Sequence, residues 1–216
     1  RLLAFVIKRG RFDINQVDPK TGKTALHEAC ARCDANAIEQ LVAAGADTEA
    51  ETAKVDSDES EEGLTPLLIL CGMRGATIEA VGSLLDAGAD AKARDKRGRT
   101  VLHVAVEAEI VKMLMAAGAD PTESDEDGNL PLHEAARAGK HEIAHELPGL
   151  GYTAQNETGM CPIHVACVEG WLEAVQAIMH MRTNDKNIVC SEGMTPLMYA
   201  CNAGHYELAG RLLFEH

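Results

Sequence analysis

The chain has 216 residues and a formal net charge of −14, and aromatic side chains make up only 3% of it. Because nucleic-acid binding draws on phosphate neutralisation by lysine and arginine, this acidic balance disfavours DNA or RNA as a direct partner and permits a basic protein segment. No apolar run approaches the roughly 20 residues of a membrane-spanning helix. Seven cysteines without disulfide-like spacing favour a reduced, intracellular protein of the cytoplasm or nucleus.

The first predicted element is an amphipathic helix over residues 1–9, followed by Gly10 as its cap. This helix has the pattern of the last helix of a repeat, so residues 1–18 are interpreted as a partial repeat. The chain lacks an initiator methionine and a signal-peptide pattern. We therefore expect it to be a piece of a longer protein.

Six copies of one short motif follow. The first is Gly-Lys-Thr-Ala-Leu-His at 22–27, and the others begin at residues 63, 98, 128, 159 and 193. Glycine permits the turn, threonine caps a helix, and proline, present in four copies, suits the first helical residue. A second helix is predicted in each unit, over about 35–44 in the first. The positions predicted to be structural are Gly22, Thr24, His27, Thr65, Pro66, Thr100, His103, Pro131, His133, Pro162, His164, Thr195 and Pro196.

The Gly-x-Thr-Pro-Leu-His opening and the Gly-Ala-Asp that closes several units resemble the ankyrin repeat. The motif glycines are 41, 35, 30, 31 and 34 residues apart, and the period of that family is about 33. The resemblance covers residues 1–216 and implies one all-α domain. This domain would be a solenoid of stacked helix-turn-helix units with short β-hairpin-like fingers, in six full repeats.

Differences in spacing predict where single repeats depart from the pattern. The 41-residue spacing indicates an acidic inserted loop over about 49–62, and the 35-residue spacing indicates two extra residues between helices, over 73–77. The 30-residue spacing lacks residues between Val106 and Glu109, which predicts a tight interhelix turn. The 31-residue spacing predicts a shortened finger around 152–154. In the same repeat, Pro148 is predicted to end the second helix early.

The residues at recurring positions of the repeat lead to further predictions. Leu130 and Cys161 replace the capping threonine, at a cost of about 1 kcal/mol each, so repeats four and five should be less stable. The histidine of the motif is predicted to hydrogen-bond one unit to the next. A cysteine position at the end of the first helix is predicted to be small and buried, whereas two turn cysteines, Cys33 and Cys190, are predicted to be exposed. The cysteines of the buried position are Cys30, Cys71, Cys167 and Cys201.

One segment, His141-Glu142-Ile143-Ala144-His145, matches the zinc motif of metalloproteases. In repeat register, Glu142 stands where Glu79 and Glu109 stand in other units, so the motif arises from the repeat pattern with two histidines added. A zinc site at this segment is a remote alternative. We predict no catalytic residue, no metal, no cofactor and no enzyme activity.

In the family that the chain resembles, variable fingertip and first-helix residues make most partner contacts. Carried over by register, with Trp171 of an interhelix turn added, the candidates are Lys20, Lys23, Arg32, Lys96, Arg97, Arg99, Glu126, Asp127, Arg137, Glu157, Met160, Val168, Trp171, Glu192, Met194 and Asn202.

The resemblance implies a non-catalytic, monomeric scaffold that binds a segment of a partner protein on its concave helix and fingertip face. Two alternatives stay open on the sequence alone. The chain could be the regulatory module of a larger enzyme or channel. The acidic loop could instead bind the basic tail of a nuclear protein, by charge complementarity.

Overall fold

The computed structural model describes residues 13–54, 63–147, 151–180 and 187–214. The predicted helix over 1–9, most of the acidic insertion and Pro148 lie outside the described residues. Within the described part, twelve α-helices and no β-strand are present, which confirms the all-α prediction. The chain divides into two compact units, residues 1–119 and 120–216.

The described part of unit one contains three helix pairs. Their bounds are α1 Ala25–Ala31, α2 Ala35–Ala43, α3 Pro66–Gly72, α4 Ile78–Asp86, α5 Val101–Val104 and α6 Ala108–Ala116. The first helices of the pairs pack in the row α1, α3, α5, and the second helices in the row α2, α4, α6. Leucine and isoleucine side chains from both rows fill the space between them, including the fully buried Leu67, Leu84 and Leu102.

Unit two repeats this arrangement. Its helices are α7 Pro131–Arg137, α8 His141–Glu146, α9 Pro162–Glu169, α10 Leu172–His180, α11 Pro196–Asn202 and α12 Tyr206–Phe214. α9 packs against α7 and α11, and α10 packs against α8. Because each helix contacts mainly its neighbours in the stack, local sequence decides most of each unit.

Polar side chains start the helices where the motif predicts. Thr65 Oγ1 accepts the Leu68 N–H at 3.4 Å, and Thr195 Oγ1 accepts the Met198 N–H at 3.3 Å. Proline is the first helical residue of α3, α7, α9 and α11, where its missing N–H would have no intrahelical partner. The fingers end in turns rather than strands in the described residues, apart from one antiparallel bridge between Arg94 and Thr100.

The missing residues of the third repeat shorten its first helix, so the prediction of a tight interhelix turn at 106–109 is wrong. α5 has four residues, whereas α1, α3, α7 and α11 have seven. The connection to α6 still spans three residues, 105–107. Val106 turns away from the helix, and its N–H donates to the Cys71 carbonyl of the preceding repeat at 3.2 Å. That bond replaces the last helical turn.

The fourth repeat is shortened in its second helix, so the prediction of a stunted finger at 152–154 is also wrong. α8 has six residues against nine in α2, α4, α6, α10 and α12. The finger turn is intact, because the Asn156 N–H donates to the Met160 carbonyl at 3.1 Å. The predicted longer connection over 73–77 is confirmed, with five residues between α3 and α4.

The cysteines are all free thiols, and three of the burial predictions are wrong. Cys201 is exposed, because α11 packs against α9 on one side and no described helix covers its other side. Cys190 is only 4% exposed, and its Sγ accepts the Glu192 N–H at 3.3 Å. Cys33 is half-buried rather than exposed.

The other three cysteines of the recurring position are buried as predicted, and their burial changes the acidity of their thiols. Desolvation raises the pKa of the Cys30, Cys71 and Cys167 thiols to about 12. These thiols therefore stay protonated at neutral pH and behave as small apolar side chains.

Candidate functional site

The motif histidines join neighbouring repeats. The Thr24 N–H donates to His27 Nδ1 at 3.1 Å, and His27 Nε2 lies 3.0 Å from the Leu64 carbonyl of the next repeat. A ring nitrogen that accepts an N–H carries no proton, so Nε2 holds the proton and donates it to Leu64. The ring is neutral in this arrangement and links one helix start to the following finger.

The same pair of bonds recurs in unit two. His133 Nδ1 accepts the Leu130 N–H at 3.0 Å, and His133 Nε2 lies 3.0 Å from the Met160 carbonyl. His164 Nε2 lies 3.2 Å from the Ile188 carbonyl. Burial lowers the pKa of His133 to about 4 and also lowers the pKa values of His27 and His164. These histidines are engaged in joining repeats, as the sequence predicted, and are not free for chemistry.

A basic finger projects from unit one between α4 and α5. The Asp95 carboxylate shapes its turn by accepting the Arg97 and Arg99 N–H groups, each at 2.9 Å. Arg99 also pairs with Asp95 through its guanidinium at 2.7 Å, which leaves it half-buried. The aliphatic part of the Lys96 side chain packs over Gly63, so closely that a Cβ at Gly63 would lie 3.0 Å from Lys96 Cγ. Lys96 and Arg97 are exposed and present the charge of this finger.

The corresponding finger of unit two is acidic. The Asp125 carboxylate accepts the N–H groups of Asp127 at 3.0 Å and of Asn129 at 2.8 Å. Those bonds place Glu126 and Asp127 at the exposed tip. The next finger is joined to this one, because the Glu157 N–H donates to the Asp127 carbonyl at 3.0 Å. The two fingers thus have the same internal frame and opposite charge.

The structure describes all sixteen candidate contact residues, and most of them are exposed. The exposed ones are Lys20, Arg32, Lys96, Arg97, Glu126, Asp127, Arg137, Glu157, Val168, Trp171, Glu192 and Asn202. Four are partly buried, namely Lys23, Arg99, Met160 and Met194. Arg32 lies 3.7 Å from Glu28, and Arg137 pairs with Glu134, so both arginines are partly neutralised along their own helices.

Trp171 has a structural role beside its exposure. Its indole N–H donates to the Arg137 carbonyl at 3.1 Å, and its ring covers Gly139 of the preceding repeat. His205 does the same one repeat later, with Nε2 2.9 Å from the Val168 carbonyl. Trp171 therefore stands at a position that joins repeats, yet 45% of it is exposed.

The zinc-like segment does not form a cluster in the structure. Glu142 and His145 are exposed, and His141 is half-buried at the start of α8. Across the described ranges, no group of three or more histidine, cysteine or acidic side chains is arranged to hold a metal ion. None of the described helices is long and apolar enough to cross a membrane.

Tyr206, which is absent from the predicted contact residues, is 78% exposed at the start of α12. The corresponding residues of other repeats include Leu172 and His141, so a tyrosine at this position was the sequence feature that could have identified it as a candidate contact residue.

Comparison with known proteins follows the repeat pattern. A family model described as ankyrin repeats in three copies matches residues 68–152 and 148–216, and an ankyrin-repeat model matches residues 21–53. A human protein, the SMC5-SMC6 complex localization factor protein 1, is 34% identical over 70 residues. That match covers 32% of this chain and 6% of the human protein.

Proposed function

Because the chain belongs to the ankyrin-repeat family, whose members typically act as protein-interaction modules, we propose that it is a non-catalytic scaffold for a partner protein. The observation that carries this proposal is that repeated and variable residues have different roles. The repeated residues start helices and bond neighbouring repeats together, whereas the residues that differ between repeats are exposed on fingers and helix ends.

The proposed partner is a protein segment of mixed charge. The exposed pair Lys96 and Arg97 would contact an acidic stretch, and the exposed pair Glu126 and Asp127 would contact a basic one. Charge complementarity of this kind steers association and selects partners. The name of the human relative, a localization factor for a protein complex, fits a binding role of this type.

Charge reversal tests this proposal. Partners are captured from lysate with the wild-type chain and quantified by mass spectrometry. K96E/R97E and, separately, E126K/D127K should each reduce capture of the main partner at least fivefold. Two exposed second-helix residues, Lys112 and Glu39, provide controls as K112E and E39K, which should change capture little. Unchanged capture by both finger variants would contradict the proposal that these two fingers contact the partner.

A second candidate is that the acidic insertion binds a basic protein tail. The base of the insertion is closed, because the Gly63 N–H donates to the Thr52 carbonyl at 3.0 Å and the Leu64 N–H donates to Thr52 Oγ1 at 2.9 Å. Removing residues 55–61 spares Thr52, Gly63 and their bonds. This deletion should weaken binding of a lysine-rich peptide and flatten its salt dependence. An unchanged salt slope would reject the candidate.

A further inference from the structure

A groove with a volume of about 590 Å³ opens on unit two, where the second helices of the last two repeats begin. Trp171 and Glu173 lie on one side of it, and Tyr206 and Glu207 lie on the other. We propose that this groove binds an arginine side chain of a partner protein. The proposal rests on the scaffold function and names a second contact surface, separate from the fingers.

The Trp171 side of the groove is fixed before any partner arrives. The indole N–H is held by the Arg137 carbonyl at 3.1 Å, and the ring lies against Gly139. A Cβ at Gly139 would come within 2.6 Å of Trp171 Cδ2, so the absence of a side chain there permits the ring to sit flat on the backbone. A ring held in this way loses little conformational entropy on binding.

The floor of the groove is equally fixed by His205. Its Nε2 donates to the Val168 carbonyl at 2.9 Å, and the imidazole lies against Gly170, where a Cβ would be 2.5 Å from His205 Cε1. Next to it, Tyr206 is 78% exposed. The two aromatic rings thus border an open space rather than a filled core.

The charges of the lining residues favour a cation. Glu173 and Glu207 are exposed, and neither carboxylate forms an ion pair or a side-chain hydrogen bond with any residue that the structure describes. The groove lining contains no lysine or arginine. The helix N-termini oppose a cation by partial positive charge, but this effect is smaller than that of two full carboxylate charges.

Arginine fits this combination better than other side chains. Its planar guanidinium stacks on aromatic faces and donates pairs of hydrogen bonds to carboxylates, whereas the lysine ammonium does neither in the same geometry. The repeat before offers a comparison. Between repeats four and five, the residues that correspond to Trp171 and Tyr206 are Lys140 and Leu172, so a lysine and a leucine replace the two aromatic residues at those positions.

Fluorescence gives a direct test, because Trp171 is the only tryptophan. The probe is an acetylated, amidated glycine-serine peptide with two spaced arginines, titrated into the whole chain. We expect a saturable change in Trp171 emission. The same peptide with citrulline in place of arginine, which keeps the shape and removes the charge, should bind at least fivefold more weakly.

Variants assign the effect to the groove. E173Q/E207Q and Y206L should each weaken arginine-peptide binding at least threefold, and circular dichroism should confirm that both variants fold. E142Q, at the same repeat position outside the groove, should bind like wild type. Equal binding of the citrulline peptide, an equal loss in E142Q, or emission that never saturates would overturn the proposal. Such a failure would leave the finger-reversal result standing, since that experiment measures partner capture and not groove occupancy.

Discussion

Neutral histidines bond one repeat to the next at His27, His133 and His164, and their neutrality makes stability depend on pH. In His133, Nδ1 accepts a backbone N–H and burial lowers the pKa to about 4. An unfolded histidine has a pKa near 6.5, so below that pH the unfolded chain binds a proton that the folded chain excludes. The stabilising contribution of the neutral His133 is therefore fully present above pH 6.5 and is lost as the pH falls from there toward 4.

From pH 8 to pH 5, His133 alone should lower the free energy of unfolding by about 2 kcal/mol, and His27 and His164 act in the same direction. Urea unfolding at both pH values measures the difference. H133Q removes one titrating group, so its stability should be lower at pH 8 but should change less between the two pH values. An identical pH dependence in wild type and H133Q would contradict the assignment.

At the residue scale, the sequence predicted well where the same residue recurs with the same neighbours. The role of His27 followed from its recurrence, because a helix start and a finger are local structures. The prediction that Cys190 is exposed was wrong because this residue stands where other fingers have Asp95 and Asp125. Its Sγ accepts the Glu192 N–H in the same way as the carboxylates of those residues accept N–H groups. Turn position alone does not reveal that a side chain faces inward to hold the turn.

Helix starts in unit two offer a prediction at the scale of the element. Cys161 occupies the N-cap of α9, and it provides no side-chain oxygen for the N–H groups of the first turn. Serine is nearly isosteric with cysteine and is a preferred capping residue, so C161S should raise the free energy of unfolding by about 1 kcal/mol. Chemical denaturation measures this change. C167S is the matched control, because both cysteines are fully buried. A hydroxyl at 161 can donate to the Thr153 carbonyl, 3.4 Å from the present Sγ, whereas a hydroxyl at 167 lies inside the helix and caps no N–H, so C167S should destabilise the protein. Destabilisation by both serines would contradict the capping argument.

Element boundaries show where sequence spacing stops being informative. Counting residues between motifs correctly predicted that repeats three and four are short, but it assigned the loss to the wrong elements; only the separate signal of Pro148 pointed to an early end of the second helix in repeat four. The turn and finger contacts are constrained by bonds to neighbours, such as the Glu157 N–H to the Asp127 carbonyl. A helix C-terminus can instead lose a turn at the cost of a few local bonds. The loss therefore falls on α5 and α8.

At the scale of the whole molecule, the stacking order within each unit could be predicted from sequence and the binding surface could not. Stacking depends on repeated apolar residues such as Leu67 and Leu102, which have the same role in every copy. A binding surface depends on residues that differ between copies, and nothing in a single sequence marks which differences matter. Gly139, Gly170 and His205 hold the aromatic border of the groove beside Trp171 in place, and these contacts cannot be read from the sequence alone.

Stability should also vary along the chain, because a repeat array is a sum of unit stabilities and neighbour contacts. The six-residue α8 of repeat four starts after Lys140, which makes no side-chain capping bond, whereas the nine-residue α4 of repeat two is capped by Thr77. One lost cap costs about 1 kcal/mol, which corresponds to a roughly fivefold larger population of the locally open state. Amides of α8 should therefore exchange hydrogen at least fivefold faster than those of α4.

Hydrogen exchange with mass spectrometry at neutral pH resolves the two helices as separate peptides. Intrinsic exchange rates differ between sequences, so the comparison is made between protection factors. C161S provides an internal check, since a new cap on α9 should slow exchange in α9 and, through contacts between neighbouring helices, in α7. Equal protection of α4 and α8 would mean that packing between repeats, and not the strength of single helix starts, sets local stability in this chain.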